Sequence, residues 1–253
     1  NAQTPFTISM VSLPIQKTLR VLENNDQLKS NVAGLKIKPK EFFRVTVEPG
    51  VELDCYMIKP YNFDPTKKYP VIFNIYGEPA SATVQDVWAS GDFYNQYLAQ
   101  KGYIIMSVDN RGTKSPRGRE WRKSIYRQIG ILATKDQAAA AKAIIQTYPF
   151  VDPSRIGVYG WSGGGSMTLH CMLQHPEIYK TGIAVAFVAN LRFYDTIYEE
   201  RYMGLPSDNE EGYRNGSPVS YAKNLKGNLL LIHGSGDDNV HYQNCEVMVN
   251  ELV

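Results

Sequence analysis

From residue 42 onward the apolar positions of this chain obey two patterns in succession. Phe43-Arg44-Val45-Thr46-Val47 and Glu52-Leu53-Asp54-Cys55-Tyr56-Met57 alternate with period two on either side of Pro49-Gly50, which predicts a β-hairpin. Then the alternation stops. Residues 71–76, 103–108, 156–159, 182–187 and 229–232 are near-continuous apolar runs, the pattern of strands covered on both faces in a parallel sheet. Helical stretches fall between them. The clearest opens on Thr134-Lys135-Asp136-Gln137, a capping-box pattern, and continues through an alanine-rich run to Tyr148 ahead of Pro149. Strand alternating with helix predicts an α/β fold, a doubly wound and mostly parallel sheet whose functional groups collect at the carboxyl ends of its strands. Residues 1–40 carry no sustained period, although Leu19-Arg20-Val21-Leu22 alternates like a short strand.

Composition narrows the function classes. With 43% hydrophobic and 21% charged residues, 253 positions can bury a sizeable core. Lys plus Arg number 27 against 25 Asp plus Glu, and no basic cluster is long enough to track a phosphate backbone, so nucleic acid is not an expected partner. The longest apolar runs are strand-sized, which predicts no membrane-spanning segment, and the first residues lack the charged-then-apolar order of a signal peptide. Cys55, Cys171 and Cys245 are too few and too scattered for a disulfide framework or a zinc site, and nothing in the chain calls for a metal or a cofactor.

The chemistry concentrates at Gly160-Trp161-Ser162-Gly163-Gly164, which has the form G-x-S-x-G. Ser162 directly follows the strand run at 156–159 and precedes a helical pattern at 167–173. A turn that sharp strains its apex and needs small neighbours; it lifts a serine oxygen above the sheet and sets the next N–H, that of Gly163, where an oxyanion would form. A plain glycine-rich connection is the alternative. In this arrangement an acid and then a histidine follow the serine in the chain. Asp237 and Asp238 stand in the loop after the run at 229–232, where one could orient a histidine while the other caps a helix. Of the four histidines, His170 and His175 fall on or after the helix behind Ser162, His233 precedes the acid as a structural residue would, and His241 follows Asp237 too closely to bridge it to the serine. The base is therefore expected beyond Val253.

Several segments together resemble the catalytic domain of dipeptidyl peptidase IV-like members of the prolyl oligopeptidase family. They are Gly160-Trp161-Ser162, Tyr194-Asp195 to Tyr198, Glu200-Arg201-Tyr202-Met203-Gly204-Leu205-Pro206, Tyr213-Arg214-Asn215, His233-Gly234, and Asp237-Asp238-Asn239-Val240-His241. Leu19 to Glu23 is similar to that family's last propeller strand. The resemblance implies an α/β-hydrolase domain over 26–253, incomplete at its C-terminus, with 1–25 as the remnant of a β-propeller. It implies a serine exopeptidase that removes dipeptides with proline or alanine in second position, with a peptide substrate, an optional homodimer, and a periplasmic or extracellular setting. Carried over, Ser162 is the nucleophile, Asp237 the triad acid, and Tyr76 with the Gly163 N–H the oxyanion donors. Val188, Leu191, Tyr194, Tyr198, Asn239 and Val240 fall at the proline pocket and its rim. Two positions depart: Gly163 replaces the family's usual tyrosine and Leu191 a tryptophan. A broader acylaminoacyl peptidase or esterase, and an inert hydrolase-fold binding module, stay open as alternatives.

Overall fold

The computed structural model describes residues 1–35, 37–79, 81–89 and 92–253. β1 (Ile8–Val11) and β2 (Thr18–Glu23) pair antiparallel in a small sheet of their own, followed by α1 (Asp26–Ala33). The hairpin around Pro49-Gly50 is β3 (Glu41–Glu48) and β4 (Val51–Ile58), with Gly50 at φ +80° in the turn. Next come β5 (Tyr69–Asn74), α2 (Asp92–Gln100), β6 (Ile104–Asp109), α3 (Gly118–Lys123), α4 (Ile131–Thr147), β7 (Val151–Trp161), α5 (Gly163–Gln174) and β8 (Thr181–Val185). α6 (Thr196–Met203), α7 (Glu210–Asn215), β9 (Asn228–Ile232) and α8 (Gln243–Leu252) complete the described elements.

The main sheet has the order β3-β4-β6-β5-β7-β8-β9, antiparallel over its first three strands and parallel thereafter. One line of paired residues, Met106, Phe73, Val158, Gly182 and Leu229, crosses all five parallel strands. Successive side chains leave opposite faces of a strand, and the core divides accordingly. Val71, Phe73, Ile104 and Met106 join the larger core with Ala138, Ala141 and Met172 of α4 and α5, whereas Ile72 and Ile105 join Ala99 of α2 on the other face. Burying each such large side chain contributes about 1.5–3 kcal/mol.

This winding positions the site. After β5 the chain passes to α2 on one face, and after β7 to α5 on the other. The adjacent carboxyl ends of β5 and β7 therefore open a crevice, where ligands bind in open α/β sheets.

Two expectations change on folding. The run at 229–232 is covered on one face only: Leu229 and Leu231 pack inward, while Leu230 and Ile232 of this edge strand remain 53% and 45% exposed. α4 begins at Ile131 rather than at Thr134, with Gly130 as a left-handed cap. Of the capping-box residues, Thr134 bonds locally and Asp136 and Gln137 make tertiary bonds. The Thr134 hydroxyl donates to the Gly130 carbonyl, Asp136 accepts from the Arg111 guanidinium, and Gln137 Nε2 donates to the Val108 carbonyl at 2.8 Å and Asn110 Oδ1 at 3.0 Å.

Candidate active site

β7 ends at Trp161 and α5 begins at Gly163, so one residue carries the whole change of direction. That residue, Ser162, sits at φ 58° and ψ −123°, a region L-residues avoid at a cost of about 1–3 kcal/mol. Its N–H donates to the Val185 carbonyl at 2.8 Å and its carbonyl accepts from the Ser166 N–H at 3.1 Å, which holds the turn. The flanking glycines are sterically required. A Cβ on Gly160 would stand 2.2 Å from the Gly164 carbonyl oxygen, and one on Gly164 2.3 Å from the Ile75 carbonyl oxygen. Among the described residues the Ser162 hydroxyl makes no hydrogen bond. It opens into a cleft of about 540 Å³ shared with Tyr76, Tyr159 and Trp161.

The close approach of Gly164 to Ile75 and Tyr76 ties the segment after β5 to the serine turn. The Ile75 N–H donates to the Tyr159 carbonyl at 3.0 Å, and Asn110 Nδ2 to the Gly77 carbonyl at 3.1 Å, so the half-buried Tyr76 is braced on both sides. Gly163 opens α5, and the first N–H groups of a helix have no intrahelical acceptor. The Tyr76 side chain thus lines the cleft into which Ser162 opens, and the Gly163 amide follows the serine at the start of α5.

Asp237 lies in the loop between β9 and α8. Its Oδ1 accepts from the N–H groups of Val240 at 2.9 Å and Asn239 at 3.1 Å; these bonds, that of Val240 first, hold the carboxyl below the usual range. Its Oδ2 is 3.7 Å from Nε2 of His233, a buried ring that donates to the Val240 carbonyl at 2.7 Å. His170, on α5, is buried against the Gly216 carbonyl, His175 faces Glu177, and His241 is exposed. Among the described residues none of these rings hydrogen-bonds to Ser162.

The expected pocket residues come together. Val188, Leu191 and Val240 share one buried cluster with Ile125, Ile129, Met203 and Tyr213, and Tyr194 and Tyr198 pack on it with their rings edge-on, 5.5 Å apart. The Val188 N–H donates to Ser166 Oγ at 2.9 Å, which fastens the cluster to the serine turn. The Tyr194 hydroxyl donates to Asn239 Oδ1 at 3.2 Å, joining the cluster to the Asp237 loop.

Sequence reasoning did not single out two carboxyls here. Glu78, 8% exposed, accepts from the Tyr198 hydroxyl at 3.0 Å, and burial pushes it up to about 7. Glu199, 3% exposed, has a buried Oε2 with no hydrogen-bond partner among the described residues; burial and then the nearby Glu78 charge push it up to about 9. Glu78 stands in a turn without a motif, and Glu199-Glu200 reads as the solvated face of a helix. The available signal was a carboxylate two residues after Tyr76, at a strand's carboxyl end.

Residues 89–253 match the model of the prolyl oligopeptidase family. The chain is 37% identical over 242 residues to dipeptidyl peptidase 4 of Trichophyton equinum, which covers 94% of this chain and 31% of that protein. A protein of the same name from Trichophyton rubrum is 36% identical over 242 residues, with the same coverage. Among solved structures, Porphyromonas gingivalis dipeptidyl peptidase 4 superimposes with a TM-score of 0.95 at 43% identity, over 99% of this chain and 35% of that one. The chain thus spans about a third of the length of these relatives.

Proposed function

Because this chain belongs to the prolyl oligopeptidase family and has the α/β-hydrolase fold of its dipeptidyl peptidase 4 relatives, we propose that it is the catalytic part of a serine exopeptidase that releases dipeptides from peptide N-termini, of the Xaa-Pro and Xaa-Ala type. Residues 1–25 then belong to a neighbouring propeller and 26–253 to the hydrolase domain. The observation that carries this reading is the Ser162 turn, a strained apex with its hydroxyl free in a cleft that also holds the Tyr76 side chain.

In this mechanism a histidine outside residues 1–253 removes the Ser162 proton as Oγ attacks the scissile carbonyl. Asp237 accepts that histidine's second ring N–H through Oδ2, since its Oδ1 is occupied by the Asn239 and Val240 amides. The oxyanion is held by the Tyr76 hydroxyl and the Gly163 N–H; losing one such donor costs about 10²–10³ in rate. Collapse of the intermediate expels the amine, protonated by the imidazolium, and leaves the dipeptidyl group on Ser162 as an ester. Water, deprotonated by the same histidine, then releases the dipeptide. The pocket of Val188, Tyr194, Tyr198 and Val240 receives the second residue of the dipeptide.

A fluorophosphonate probe applied to the whole protein tests this. Labelling that disappears in Ser162→Ala, together with release of intact dipeptides from N-terminally free peptides, is the expected result. A folded protein that does not label would overturn it.

A further inference from the structure

Acyl transfer as set out above gives no part to Glu78, the buried carboxyl against the serine turn. From its placement we propose that Glu78 is a positioning residue acting through the Gly163 amide, which supports the oxyanion only while Glu78 carries its proton. The inference rests on the reading above of Gly163 as an oxyanion donor and adds a control on that same site.

Glu78 is directly against the residue that follows the nucleophile. A Cβ placed on Gly163 would stand 2.0 Å from Glu78 Cγ and 3.1 Å from both its Cβ and its carboxyl carbon. The glutamate stem thus fills the volume a side chain would take there, and the carboxyl lies alongside the first residue of α5. The first N–H groups of a helix have no intrahelical acceptor and carry its partial positive charge. A carboxylate beside Gly163 draws on the same positive end that the oxyanion needs and repels the oxyanion directly. The neutral acid does neither, while it packs the turn equally well.

Among the described residues no Lys, Arg or His forms an ion pair with Glu78. The titratable groups around it are themselves acids. Tyr198 of α6 donates its hydroxyl to Oε2 at 3.0 Å, Glu199 follows it on the same helix, Asp195 caps that helix and acts on Glu199, and Tyr76 stands two residues earlier. Burial, opposed by the Tyr198 hydroxyl, pushes Glu78 up to about 7, and burial with the Glu78 and Asp195 charges pushes Glu199 up to about 9. Glu78 is therefore the first of the two to ionise as pH rises. Support of the oxyanion is present below pH 7 and is lost as pH rises through it.

The test follows the rate of fluorophosphonate labelling of Ser162 in the whole protein from pH 5 to 9, with a probe that has no amine of its own to titrate. The expected profile is a bell whose alkaline limb falls at least tenfold between pH 7 and 9. Glu78→Gln keeps the volume without the charge, so its rate at pH 9 should stay within about twofold of its rate at pH 7. Tyr198→Phe removes the donor that favours the carboxylate, so its alkaline limb should move to higher pH. Both variants are checked for folding by thermal melting, and Tyr198→Phe carries the test should Glu78→Gln fail to fold. A role in packing alone would change the rate by the same factor at every pH. A parent profile without an alkaline limb, or a limb that neither substitution moves, overturns the inference and leaves the serine peptidase reading standing. A folded protein whose Ser162 labels at no pH overturns both.

Discussion

The γ-carbon of Glu78 occupies the position beside Gly163 where any other residue would carry its side chain, 2.0 Å from the site of a Cβ. The two residues are complementary: one contributes the volume that the other leaves empty, and the carboxyl so placed bonds to Tyr198.

Complementarity of this kind predicts non-additive substitutions. Gly163→Ala should destabilise the protein by about 1–3 kcal/mol through overpacking. Combining it with Glu78→Ala should cost less than the two single changes summed, by about 1 kcal/mol or more, as residues in direct contact couple. Thermal or denaturant melts of the four proteins measure this, and strict additivity would rule it out.

The strained backbone at Ser162 predicts that stability and chemistry part company. Ser162→Gly should raise stability by about 1 kcal/mol, because glycine takes φ 58° without penalty, while Ser162→Ala should give no such gain. Both should abolish fluorophosphonate labelling.

Glu199 predicts a pH dependence. Its carboxyl is raised from 4.5 to about 9 in the fold, so its contribution to stability is complete below pH 4.5 and is lost as pH rises toward 9. Glu199→Gln should therefore stabilise the protein at pH 8–9, by an amount on the order of 1–3 kcal/mol, with a smaller gain at pH 5. A melting-temperature difference that does not grow with pH would contradict this.

His170 predicts the opposite limb. Burial lowers it from 6.5 to about 4, its Nε2 donating to the Gly216 carbonyl at 2.9 Å and its Nδ1 accepting from Gln174 at 2.7 Å. The stability of this neutral ring is present above pH 6.5 and lost as pH falls through 4. Nitrogen-15 NMR at pH 5.5 should show His170 still neutral, with the proton on Nε2.

The sequence by itself determined what local pattern can encode. Period-two alternation around Pro49-Gly50 specifies a hairpin because successive side chains leave opposite faces, and unbroken runs such as 71–76 specify strands with apolar demand on both sides. The spacing of glycines around Ser162 likewise encodes the turn, since the clash of Gly164 with Ile75 is a matter of backbone volume that only glycine relieves. Local pattern misread the start of α4, where Asp136 and Gln137 bond to β6 and its following loop while Thr134 bonds to the Gly130 carbonyl four residues back. It also could not tell that β9 would lie at the sheet edge with Leu230 and Ile232 open. Only the tertiary structure decided the character of the pocket. Glu78 and Tyr198 are 120 residues apart, and whether a glutamate is solvated or buried depends on which distant segments close over it. Burial and partnership are properties of the assembled sheet and helices, and it is they that turn two ordinary-looking glutamates into buried acids, Glu78 bonded to Tyr198 and Glu199 with one oxygen unpartnered among the described residues.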